Sequence, residues 1–141
     1  MTRREIALGA AGAALAVATP AAAQSNDLRA NDLRIDYIEV PVADVARAKA
    51  FYQKAFGWTF TDYGPAYAAF EDGRLTGGFT SDQKPRPGAT LIVLHANDLA
   101  AAQASVEAAG GKIVKPIFKF PGGRRFHFAD PDGYELAVWS A

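Results

Sequence analysis

His95 and His127 are the only imidazoles in this 141-residue chain, and there is no cysteine. Acid–base or metal chemistry must therefore be assembled from two rings, carboxylates and phenols; disulfides, thiolate nucleophiles and cysteine-ligated metals are excluded. His127 and Glu135 are the pair that matters most. They flank the sequence Asp130-Pro131-Asp132-Gly133, a turn that makes their two strands neighbours and sets the imidazole next to the cross-strand position of Glu135. A histidine–carboxylate pair can take or deliver a proton near neutral pH. The competing reading is a hydrogen-bonded histidine at the edge of a cleft. Arg125 carries a planar donor fork that could clamp a carboxylate or simply pair with a surface acid. Asp130 and Asp132 resemble a metal pair, but within D-P-D-G they are turn formers. No GxSxG elbow, GxxxxGK[ST] loop or HExxH pair is present.

Fifteen basic residues balance fifteen acidic ones, which argues against nucleic-acid binding and gives no electrostatic case for an anionic membrane. The first 23 residues read as an export signal: Arg3-Arg4, an apolar Gly/Ala-rich run, Pro20 and then Ala21-Ala22-Ala23. That run is too short to span a bilayer comfortably, so no stable membrane insertion is expected after cleavage. Arg3-Arg4 followed by Glu5 and Ile6 favours the twin-arginine route over general secretion, and a periplasmic or secreted protein. Residues 24–32, within which NDLR begins to repeat, read as a polar tether, and residues 33–141 as one domain.

The elements that must position His127, Glu135 and Arg125 follow from an internal repeat. Asp44 precedes Val45, Ala48, Tyr52 and Ala55, and Asp98 precedes Leu99, Ala102, Val106 and Ala109 at the same spacing. Both are amphipathic helices with an acidic N-cap, stopping at Gly57 and at Gly110-Gly111. Residues 37–60 superpose on 91–114 at an offset of 54, with the cap and the stop glycine in register. Strand patterns precede each helix at 36–42 and 90–96, and three follow each one: 58–63, 67–71 and 75–80, then 112–118, 125–129 and 134–139. The fold class expected is α+β, two tandem β-α-β-β-β modules forming a curved mixed sheet. Both helices lie on its convex side and a concave cleft stays open.

Strand alternation assigns the faces. Ile38, Val40, Val42, Ile92, Leu94, Leu136 and Val138 face the helices. Tyr37, Glu39, Pro41, Leu91, Val93, His95, Glu135, Ala137 and Trp139 face the cavity, as do Arg125 and His127 if Phe126 and Phe128 are core. His95 falls near a strand end and reads as a rim residue. Tyr37, Phe79 and Trp139 would then supply aromatic wall, with Glu39, Glu135 and Arg125 as its polar groups. Small-molecule sites are built in this way; hydrophobic packing at a dimer seam is the alternative.

YIEVPVADVARAKAFYQKAFGW and FHFADPDGYELAVW resemble the vicinal oxygen chelate superfamily of glyoxalase I, bleomycin-resistance proteins and extradiol dioxygenases. The resemblance covers residues 33–141 and implies a homodimer, since dimers are common in that superfamily. It places metal ligands at Tyr37, Gly77, Leu91 and Ala137, of which only the tyrosine carries a donor, and a poor one. The expectation is therefore a protein without a metal or other cofactor that binds a small, aromatic or planar organic molecule. The alternative is a lyase, isomerase or dioxygenase-like enzyme. It would work without a metal through His127 and Glu135, with Arg125 or Tyr37 stabilising negative charge, or with a divalent ion relocated to Glu39, His127 and Glu135.

Overall fold

Asp44 and Asp98 both sit in extended backbone and accept the N–H three residues on, from Arg47 at 3.2 Å and from Ala101 at 3.0 Å. Each thereby satisfies a donor that the first helical turn leaves without a partner. The helices are α1 (Val45–Phe56) and α2 (Leu99–Ala108). Gly57 closes α1 in the left-handed region at φ 74°, its N–H returning to the Gln53 carbonyl at 2.8 Å. The second helix ends one residue differently: Gly110 takes the positive φ, and the Gly111 N–H returns to Val106.

The computed structural model describes residues 32–141. The expected export signal and all but the last residue of the tether lie outside the described residues. The strands are β1 (Tyr37–Pro41), β2 (Thr59–Asp62), β3 (Tyr67–Glu71), β4 (Thr76–Thr80), β5 (Ile92–His95), β6 (Lys112–Phe120), β7 (Gly123–Ala129) and β8 (Glu135–Ser140). They form two four-stranded sheets in the same order, β1-β4-β3-β2 and β5-β8-β7-β6. In each, the first strand of the module runs parallel to the last, and the remaining pairs are antiparallel. The tandem β-α-β-β-β architecture is thus the one the repeat implies. Among the described residues no helix is long and apolar enough to cross a membrane.

One core serves both modules. Val42 just after β1, Phe70 and Phe79 from the first sheet, and Phe126, Phe128, Leu136 and Val138 from the second are buried together under the helices. Phe128 of β7 packs its ring against Phe51 and Phe56 of α1, and α1 packs on α2. The D-P-D-G turn adds polar links between the modules. Tyr52 of α1 donates to Asp130 Oδ2 at 2.8 Å, and Asp132 Oδ1 accepts from the Ala43 N–H at 2.8 Å and from Arg47 at 2.9 Å. Tyr134 donates to the Pro41 carbonyl at 2.8 Å. Asp130 Oδ1 also accepts the N–H groups of Asp132 and Tyr134, so this carboxylate holds its own turn together. Burial raises the Asp130 carboxyl above the usual carboxylate range against the pull of these bonds, and burial followed by the Asp130 charge raises the Tyr52 phenol.

Candidate functional site on the open face

The register of the second sheet brings the expected residues together. Arg125 pairs with Trp139 and His127 with Ala137 across β7 and β8, while His95 pairs with Trp139 and Val93 with Ala137 across β5 and β8. Phe126 and Phe128 between them are fully buried in the core, so alternation turns Arg125 and His127 to the open face. Phe118, Phe120 and Trp139 surround them.

His127 is 3% exposed, and its Nδ1 lies 2.7 Å from Glu135 Oε2. Glu135 fixes the ring, and Nε2 is buried without a hydrogen-bond partner. The ring centroid of Phe118 is 5.7 Å from that of the imidazole. A cleft of about 260 Å³ borders the pair, lined by Leu91 and Tyr134 and by the backbone run Gly88-Ala89-Thr90. Within that run Ala89 holds a left-handed φ of 54°, a conformation that costs a non-glycine residue on the order of 1 kcal/mol.

A second cleft, of about 310 Å³, is lined by Val93, Phe120, Gly122, Arg125 and Trp139. Its walls meet at a steep angle, the Phe120 and Trp139 rings lying at 77° with centroids 6.3 Å apart. The Arg125 guanidinium carbon sits 5.2 Å from the centre of Phe120 and 5.5 Å from that of Phe118, so the cation rests on aromatic faces. His95 meets Trp139 edge-on at 5.1 Å and is exposed, as a rim residue should be.

The first sheet presents a different open face. Tyr67 donates to Glu39 Oε1 at 2.9 Å, and with that proton committed the Tyr37 hydroxyl donates to Tyr67 at 2.6 Å. Gly78 makes this possible: a Cβ there would run into both hydroxyls. Burial, then the bond with Tyr37, raises the Tyr67 phenol far above its ordinary range.

Phe79 requires a correction. It is not on the cavity wall but in the core, 3% exposed and packed against Phe70, Tyr52 and Phe60. The β1–β4 register pairs Glu39 with Gly78 and Val40 with Phe79, so Phe79 shares the helix-side face of Val40. Gly77 faces the same way, and the open-face neighbours are Thr76, Gly78 and Thr80. The cause lies in the turns. Two residues, Arg74 and Leu75, separate Gly73 from β4, whereas only Tyr134 separates Gly133 from β8. Counting equal steps from the two glycines therefore lands on opposite faces.

The residues do not fit the metal that the resemblance implies. Leu91, Ala137, Gly77 and its open-face neighbour Gly78 offer no side-chain donor, and Tyr37 is already bonded to Tyr67. The relocated set is not assembled either. Glu39 is held by Tyr67 on the first sheet, away from His127 and Glu135, and among the described residues no three His, Asp or Glu side chains group to hold an ion.

Sequence reasoning missed Tyr67, Phe118 and Phe120. For Tyr67 the signal existed, since Ala68 and Phe70 as core residues leave Tyr67 on the other face. For the two phenylalanines it did not, because β6 shifts register twice against β7, between Ile113 and Lys115 and between Lys115 and Phe118.

Residues 34–138 match the family model described as the Glyoxalase/Bleomycin resistance protein/Dioxygenase superfamily. No curated protein matches the sequence. Among solved structures, a glyoxalase-related enzyme from Fulvimarina pelagi is similar with a TM-score of 0.69 at 20% identity, over 77% of this chain and 88% of that one. A glyoxalase/bleomycin resistance protein/dioxygenase family enzyme from Burkholderia phytofirmans has a TM-score of 0.65 at 17% identity, over 75% and 98%. TnmS3, an antibiotic binding protein from a Streptomyces species, has a TM-score of 0.64 at 22% identity, over 76% and 94%.

Proposed function

The chain belongs to the glyoxalase/bleomycin resistance protein/dioxygenase superfamily, and from its open face we propose that it is an exported protein that binds a small aromatic or planar organic molecule without a metal. The observation that carries this reading is the cleft between Trp139, Phe120, Val93 and Arg125, apolar walls with one cation among them. The lack of donors at the family's ligand positions supports binding over chelate-assisted chemistry. A fold shared with an antibiotic binding protein is consistent with it. Export rests on residues 1–23 alone, and association into a homodimer is part of the proposal. Thermal melts of the full chain against a panel of aromatic drugs and metabolites test it. We expect at least one compound to raise the midpoint saturably in the wild type and not in Trp139→Ala. A panel with no saturable shift contradicts it.

A second reading has its own observation, the buried His127 bonded to Glu135 with Nε2 unpartnered beside the smaller cleft. That ring could move a proton on a bound carbonyl or hydroxy compound, as in a metal-free lyase or isomerase. His127→Ala separates the two readings: an enzyme loses turnover with its fold intact, whereas a binder loses at most some affinity.

A further inference from the structure

We infer that the ligand is an aromatic carboxylate, its anionic end held by Arg125 and its ring laid against the walls formed by Trp139 and Phe120. This deepens the binding reading and rests on it. Arg125 is the only formal charge in the lining of the larger cleft. Among the described residues it makes no ion pair, although Arg47, Lys49 and His127 each reach an acid. Its Nε is buried without a hydrogen-bond partner.

A guanidinium shielded by two phenyl faces has given up part of its hydration and gained only ring quadrupoles in return. A buried donor with no acceptor is a standing cost, and it marks a guanidinium whose charge no group of the protein compensates, which an incoming carboxylate would do. Contact with two rings also restricts where the guanidinium can move. A carboxylate therefore meets donors already oriented, and little side-chain freedom is lost on binding. The remaining lining, Val93, Phe120, Gly122 and Trp139, has no side-chain acceptor and suits a flat hydrocarbon ring. A cationic ligand would meet Arg125 with no carboxylate beside it. A neutral one can offer a single carbonyl oxygen but neither the charge nor the paired oxygens that match the fork.

The test is calorimetric titration of the full chain with three probes of one ring system: naphthoate, naphthamide and naphthylmethylammonium. We expect naphthoate to bind roughly 30-fold more tightly than naphthamide, with the ammonium weakest and the gap narrowing as salt is raised. Arg125→Gln should abolish the preference, naphthoate and naphthamide then binding alike, with an unaltered far-ultraviolet spectrum; Arg125→Lys should restore part of it. The wild-type comparison of acid and amide stands alone if Arg125→Gln does not fold. Equal binding of acid and amide, or a preference that survives Arg125→Gln, overturns the carboxylate inference while leaving an aromatic binder in place. Absence of saturable naphthoate binding also overturns it. The broader binding reading falls only if the aromatic panel is empty as well.

Discussion

The two halves of the molecule share one framework and present opposite open faces. Strand order, parallel closing pair and Asp-capped helix are repeated in both. Even the small residue opposite the middle of the first strand recurs, Gly78 facing Glu39 and Ala137 facing Val93. The first half spends that space on itself. Two phenols fold over Gly78 and pass their protons towards Glu39, so its polar groups find partners within the sheet. The second half leaves the space lined by rings, with Arg125 Nε and His127 Nε2 unpartnered. On the binding reading proposed above, the ligand goes where polar groups have been positioned but not satisfied. The repeat that makes the fold says nothing about which half that is.

The largest expected effect tests whether the halves are one folding unit. Phe128 belongs to the second sheet yet packs on Phe51 and Phe56 of α1 in the first module. Phe128→Ala should cost roughly 3–5 kcal/mol in a single urea transition. Two separable transitions would break the comparison by showing two independent cores.

Next comes the polar link between the halves. Tyr52→Phe leaves Asp130 Oδ2 without its buried partner and should cost about 2 kcal/mol at neutral pH. The sign with pH follows from the raised carboxyl. An Asp130 whose native pKa lies above the ordinary value favours the fold when protonated, and that contribution is lost as pH rises through the raised pKa. The Tyr52 bond favours the ionised form. The cost of Tyr52→Phe should therefore shrink as pH falls below the raised value of Asp130. Melts from pH 7 to pH 3 read this, and a cost independent of pH would show that the hydroxyl does not act on the carboxylate.

Smaller effects sharpen the contrast between the faces. Gly78→Ala should displace both phenols at a cost of about 1–2 kcal/mol. Tyr67→Phe, which removes the proton held by Glu39, should cost about 1 kcal/mol. Neither should alter affinity for an aromatic ligand by more than about twofold, since neither touches the second face. A marked loss of affinity in either variant would place the site across both halves.

Much of this was legible in the sequence. Both caps, both helices, all eight strands and the pairing of His127 with Glu135 follow from periodicity and turn residues. The inward direction of Arg125 followed from Phe126 and Phe128 being core. Phe79 was misread because one extra residue after Gly73 inverts the alternation of β4, and a turn's length is not fixed by its glycine. Phe118 and Phe120 were hidden by the register shifts of β6. The dual role of D-P-D-G, turn and link to α1, spans contacts 78 to 93 residues apart in the chain, and local patterns do not report them.

The two tryptophans give the most direct test of where a ligand sits. Trp58 packs in the first half between Tyr52 and Phe70, and Trp139 lines the open cleft of the second. A proton–nitrogen correlation spectrum resolves their two indole signals in one titration with an aromatic ligand from the thermal panel. The Trp139 signal should move saturably while that of Trp58 stays in place. Movement of Trp58 alone, or of neither under saturating ligand, would contradict a binding site on the second face.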